Sequence, residues 1–275
     1  MPQTFLPNVS DVRNETTDAT KPMIKSKVDG FHGGAFEVYQ PTGEGHRSGL
    51  DALLLAASMR EDACGVLADL GAGVGVAGFA ALNLNPNLQL LSVELNEAMH
   101  ELAHQSLDLT SNTHIRDRIH LLQADVMKTG FERVEQGLDN NCADHVIMNP
   151  PYNTTGMRAP ENAIRAEAYV MGDGGLDAWF RTAAAILKPG GSFCVIYRTE
   201  NLASVLACSQ GRFGGLEVLP IHSKPGEAAK RVLVRGIRGS RAPLTITPGL
   251  VVHDEKGNST AHAKRIFMGE DRLRF

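Results

Sequence analysis

An α/β fold on a mostly parallel sheet of about seven strands, with an antiparallel hairpin at its edge, is what this 275-residue sequence predicts. Three observations carry the prediction. Short, mainly apolar runs alternate with helical patterns from residue 66 onward, a glycine-rich turn follows the first of them, and a Lys-Pro-Gly loop joins the last two. Alternation of this kind gives parallel strands covered by helices on both faces, and burial on both faces removes the polar half of each strand.

Taken in order, the first residues are rich in Thr, Asn, Asp and Pro and keep no apolar period, so 1–27 is expected to be a disordered lead and 28–275 one domain. Ser48–Met59 has helical apolar spacing with Ser48 as its cap. Strands are expected at Val66–Leu70, Gln89–Glu94, Arg118–Leu122, Asp144–Asn149 and Ser192–Tyr197, and helices at Val76–Asn83, Glu97–Leu109 and Leu176–Leu187. A further helical stretch, Leu202–Gly211, precedes two strands, Gly215–Ile221 and Arg231–Ile237, joined through Lys224-Pro225-Gly226 as an antiparallel pair.

Composition narrows the class. No apolar run approaches the roughly 18–20 residues of a membrane span, and Met1–Thr20 has no apolar core of a signal peptide, so a cytoplasmic protein with no membrane partner is expected. Four scattered cysteines without a C-x-x-C pair read as free thiols. The net charge of −4 hides an asymmetry: from Lys224 onward eleven basic residues face five acidic ones, which suits either a phosphate-binding face or merely solvated basic strands.

Two constellations carry chemistry. Val146–Met148 ends in Asn149-Pro150-Pro151-Tyr152. Two prolines lack N–H groups and fix φ, so they stop the strand and leave Asn149 at its tip. An amide beside a proline carbonyl suits a planar –NH2 group, with Tyr152 as a stacking face or, alternatively, a core residue. The second constellation is Asp69, Gly71, Gly73 and Gly75 directly after the first strand, with Glu94 at the end of the next. Such a turn brings backbone N–H groups to a ligand. Gly73, Gly75 and Gly78 also spell G-x-G-x-x-G, so a dinucleotide site and simple tight packing both remain open.

The order Asp69-x-Gly71-x-Gly73-x-Gly75, Val93-Glu94, Gln123-Ala124-Asp125 and Asn149-Pro150-Pro151-Tyr152 resembles the class I S-adenosylmethionine methyltransferases that modify a planar nitrogen. Arg47–Leu54, Arg165-Ala166 and Ala229–Val234 bring it nearer to the tRNA-valine adenine-37 N(6)-methyltransferase family. The resemblance implies a single Rossmann-like domain, S-adenosyl-L-methionine (SAM) as cofactor and RNA as partner, namely tRNA in its anticodon-loop region. It further implies that Asp69, Gly71, Gly73, Gly75, Arg47 and Asn149 line the cofactor site. Glu94 would take the ribose hydroxyls, Asp125 the cofactor's adenine amine, and Asn149, Pro150 and Tyr152 the target base.

Bland alternatives stand beside each role. Glu94 suits a solvated rim carboxylate, Asp125 a turn cap, and Arg47, Asp51 and Arg165 helix-end or surface charges. His100 and His104, four apart without a third ligand, read as a surface pair, so no metal is expected. Rival functions are a methyltransferase acting on a protein glutamine amide, a nicotinamide oxidoreductase and a non-catalytic SAM- or RNA-binding module. The oxidoreductase leaves the Asn149 corner without a task.

Overall fold

The computed structural model describes residues 25–42, 49–151 and 175–275. Its main sheet has the order β10-β8-β9-β7-β6-β3-β4-β5, with β11 also on β8. The parallel half is β3 (Gly65–Leu70), β4 (Leu88–Glu94), β5 (Ile119–Gln123), β6 (Ala143–Met148) and β7 (Leu187–Arg198). β8 (Phe213–His222) and β9 (Ala229–Arg238) form the antiparallel pair, and β9 also runs antiparallel to β7. These are the seven long strands the sequence predicts. Beyond β8 lie two strands of two residues, β10 (Thr245–Ile246) and β11 (Leu250–Val251), too short to leave an apolar pattern.

Helices cover both faces, as the mainly apolar parallel strands require. On one face α1 (Leu50–Ala57), α2 (Val76–Leu84) and α3 (Glu97–Leu107) pack on Leu67, Leu90, Ile147 and Ile196. On the other, α5 (Gly175–Ile186) and α6 (Leu202–Ser209) pack on Val66, Leu70, Val146 and Val195, with the short α4 (Gly130–Glu135) between β5 and β6. Helix α1 is preceded at its cap position by Gly49, not by a capping side chain; Ser48 lies outside the described residues. Helix α3 is capped by Asn96, whose side chain accepts from the N–H groups of Ala98 and Met99 at 3.1 Å.

A hairpin of β1 (Ser26–Phe31) and β2 (Phe36–Pro41), absent from the sequence reading, closes the α1–α3 face. Side chains from a distant segment dock it. Buried Asn112 donates to the Glu37 carbonyl at 2.6 Å and accepts from the Glu37 N–H at 3.0 Å, and the Ser106 hydroxyl accepts from the Tyr39 N–H at 2.9 Å. The chain ends with α7 (Ala261–Phe267), which packs against α1. Among the described residues no helix is long and apolar enough to cross a membrane.

Candidate functional site

β3 sits at the centre of the parallel half. From it the chain winds outward through β4 and β5 on one side and through β6 and β7 on the other. The crevice at the carboxyl ends of β3 and β6 is thus a topological switch point, where open α/β sheets leave room for ligands. Leu70, the last residue of β3, pairs with Val93 on one side and Met148 on the other, which brings Glu94 and Asn149 to flank the same strand end.

The glycine turn divides by task. A Cβ on Gly71 would strike the Trp179 indole of α5, one on Gly75 would come within 2.8 Å of Phe79, and one on Gly78 within 2.6 Å of Leu90. These three let helix, indole and strand approach closely. Gly73 differs: its φ is 59° and a Cβ would meet nothing within 4 Å, so its open side faces away from the protein. The literal G-x-G-x-x-G therefore combines one open position with two packing positions, and Gly71 joins the packing group.

Two carboxylates secure the turn. Asp69, 2 % exposed, accepts from the Gly78 N–H at 2.8 Å and ties β3 to α2. Burial pushes its carboxyl up to about 7; the Gly78 N–H opposes the shift and Glu94 adds to it. Glu94 bridges two chain segments, accepting from the Gly73 N–H at one oxygen and from the Asn96 N–H at the other, both at 2.7 Å. Burial raises this carboxyl as well, against the pull of the Asn96, Gly73 and Leu95 amides. Each oxygen keeps a second lone pair for a ligand hydroxyl. Among the described residues neither carboxylate has a cationic partner.

Asp125 follows β5 and is half-buried; its side chain accepts from the Met127 N–H at 2.8 Å, and its own N–H is held by the Gln136 side chain at 2.7 Å. Its turn-forming reading is thus realised, and Asp125 still lies at the carboxyl edge, two residues past Gln123, the strand neighbour of Glu94. Asn149 is half-buried and Pro150 buried immediately after β6. The Pro151 carbonyl accepts from the Tyr197 hydroxyl at 3.1 Å. Tyr152, Arg47 and Arg165 lie outside the described residues.

Several charged side chains pair with each other inside the fold. Arg231 donates to Asp51 at 3.0 Å and joins β9 to the first turn of α1, so this pair is an internal tie. Arg235 similarly engages Glu217 at 2.6 Å, and Arg265 engages Asp271 at 2.8 Å. Much of the basic C-terminal charge is therefore spent within the fold, leaving Lys230 exposed and Lys224 half-buried around the β8–β9 connection. Trp179 and Tyr197 escaped the sequence reading; the chain's one tryptophan, on a helix after the tetrad, was the available signal. A separate cavity of about 510 Å³ lined by Met59, Arg60, Arg235 and Phe275 contains none of the site residues.

The family model described as methyltransferase small domain matches residues 48–220. The tRNA1(Val) (adenine(37)-N6)-methyltransferase of Porphyromonas gingivalis is 25% identical over 231 residues, covering 81% of this chain and 87% of its own. The protein of that name from Shewanella frigidimarina is 27% identical over 188 residues, covering 67% and 72%. A crystal structure from Agrobacterium tumefaciens, described as a predicted O-methyltransferase, is 36% identical, with a TM-score of 0.70 over 81% of this chain and 98% of that one.

Proposed function

This chain belongs to the methyltransferase small domain family, and from that premise we propose that it methylates the exocyclic N6 amine of an adenine in tRNA, at an unpaired base of the anticodon-loop region. The cofactor is S-adenosylmethionine. The observation that carries the reading is the convergence of Asn149-Pro150 and Glu94 on one strand end, that of β3.

The residues present fit the cofactor. Half-buried Glu94 and buried Asp69 have no cationic partner among the described residues, and the cofactor brings a sulfonium and an ammonium group that favour their charged forms. Gly73 leaves space open beside an amide already oriented by Glu94. When bound, the cofactor supplies an electrophilic methyl group. The chain's own part is alignment: Glu94 accepts ribose hydroxyls, Asp125 an adenine amine, and Asn149 with the Pro150 carbonyl accepts the two N–H bonds of the target amine. Those acceptors also stabilise the positive charge that develops on the nitrogen. No strong base is required, because the amine proton becomes acidic only as the N–C bond forms.

RNA is favoured over a protein amide by the names of the relatives and by the β8–β9 connection. β7 is parallel to β6, and Arg198 at its end pairs with Arg231 at the start of β9, so Lys224 and Lys230 lie at the same edge of the sheet as Asn149. A loop base costs little to extrude and offers a face for Tyr152 to stack on. Such a protein works in the cytoplasm.

The test is incubation with methyl-labelled S-adenosylmethionine and unmodified total tRNA, beside a protein extract, followed by nucleoside mass spectrometry. Label in N(6)-methyladenosine is expected. Label in a 2′-O-methylated nucleoside would favour the oxygen acceptor in the name of the Agrobacterium structure, and label in protein the glutamine-amide rival; either result overturns the reading.

A further inference from the structure

We infer that Tyr197 is a positioning residue for methyl transfer: its hydroxyl holds the Asn149-Pro150-Pro151 corner in place by donating to the Pro151 carbonyl. The inference rests on the function proposed above and assigns the corner a support that its own backbone cannot provide.

Neither Pro150 nor Pro151 has an N–H, so past Asn149 the backbone of the corner cannot donate to a neighbouring strand. At the two prolines, neighbours can grip the backbone only through its carbonyl oxygens. Pairing of β6 with β7 stops at Met148, which faces Val195, but β7 runs on through Ile196, Tyr197 and Arg198. That overrun is secured from its other side, where Tyr197 pairs with Val232 and Arg198 with Arg231 of β9. Where the ladder to β6 would have continued, the Tyr197 phenol reaches Pro151 at 3.1 Å.

The donor is itself rigid. Tyr197 is 1 % exposed and shares an apolar cluster with Met148, Val205, Val232 and Trp179. Trp179 abuts Gly71 of the cofactor turn. One packed aromatic-aliphatic body therefore holds the turn through Trp179 and the corner through Tyr197. In-line transfer depends on the distance between just those two parts, and a displacement of about 1 Å costs on the order of 100-fold in rate.

The test uses Tyr197→Phe, which keeps the ring and removes the hydroxyl, in the full chain. The single-turnover rate at saturating S-adenosylmethionine and tRNA is expected to fall about 10- to 100-fold. Calorimetric affinity for S-adenosylmethionine and KM for tRNA should stay within about twofold, a split that a purely structural role would not produce. Wild-type turnover in Y197F overturns the inference, as does an equal loss of cofactor affinity and rate. Asn149→Ala separates this inference from the reading beneath it. Full turnover in N149A overturns that reading, whereas loss in N149A with full turnover in Y197F overturns the role of Tyr197 alone. Should Y197F fail to fold, a fluorinated tyrosine placed at 197 serves instead: its more acidic phenol should lose the rate at high pH where wild type keeps it, and coincident pH profiles overturn the inference.

Discussion

The two ends of the parallel strands both carry acidic side chains gripping backbone N–H groups, but in opposite electrostatic circumstances. At the amino end Asp144 accepts from the Val66 N–H at 2.9 Å and from Lys188 Nζ at 2.8 and 2.9 Å, and Gly65 lacks the Cβ that would strike the carboxylate. Beside it His145 and Ser192 satisfy each other at 2.7 Å. At the carboxyl end Asp69 and Glu94 hold amides alone, and burial raises both carboxyls. One end is a closed circuit of charge that stabilises the fold. The other leaves its carboxyls poorly solvated, and under the function proposed above a ligand with cationic and hydroxyl groups would complete it.

That contrast breaks if Glu94→Ala leaves cofactor binding intact. The substitution should weaken S-adenosylmethionine affinity about 10- to 100-fold in calorimetry, the worth of one or two hydrogen bonds to a charged group. Asp69 sharpens it through pH. Its carboxyl is pushed up to about 7 from the ordinary 3.8, so the folded state holds the proton more tightly. Its contribution to stability is present below about pH 4 and lost as the pH rises through about 7. The unfolding free energy of the wild type minus that of Asp69→Asn should decline across that window, by at most about 1.4 kcal/mol per pH unit in urea titrations. A difference that stays constant removes the buried-carboxylate account.

At the other end, Asp144→Ala should cost about 1–2 kcal/mol of unfolding free energy and leave cofactor affinity unchanged, since it opens only the structural circuit. A matching loss of affinity would show that the two ends are not independent. Replacing Lys224 and Lys230 with Ala should have the smallest effect. It should weaken tRNA binding a few-fold and lower the salt slope by about one per lysine, and an unchanged slope would remove the β8–β9 connection from the RNA-facing side.

The fold was legible wherever a local constraint decided it. Val66–Leu70 and Asp144–Asn149 read as strands buried on both faces; the observed strands, Gly65–Leu70 and Ala143–Met148, each begin one residue earlier, and the second also ends one residue earlier. The hairpin Ser26–Pro41 was illegible because its docking depends on Asn112 and Ser106, far along the chain. The site divides in the same way. Glu94 is marked by its place at the end of a strand, but that Gly71 accommodates an indole depends on Trp179, more than a hundred residues away. The spacing of Lys230 and Arg231 gave no hint that Asp51 engages the arginine.

By itself, then, the sequence determined the parallel α/β order, the glycine turn and the proline-stiffened corner, because period, missing N–H groups and missing Cβ atoms act within a few residues. Only the tertiary structure decided which glycine keeps an open side, which cations are spent on internal partners and which phenol reaches the corner. Tyr197 and Pro151 are 46 positions apart, and an interaction at that separation exists only once β7 has been placed beside β6.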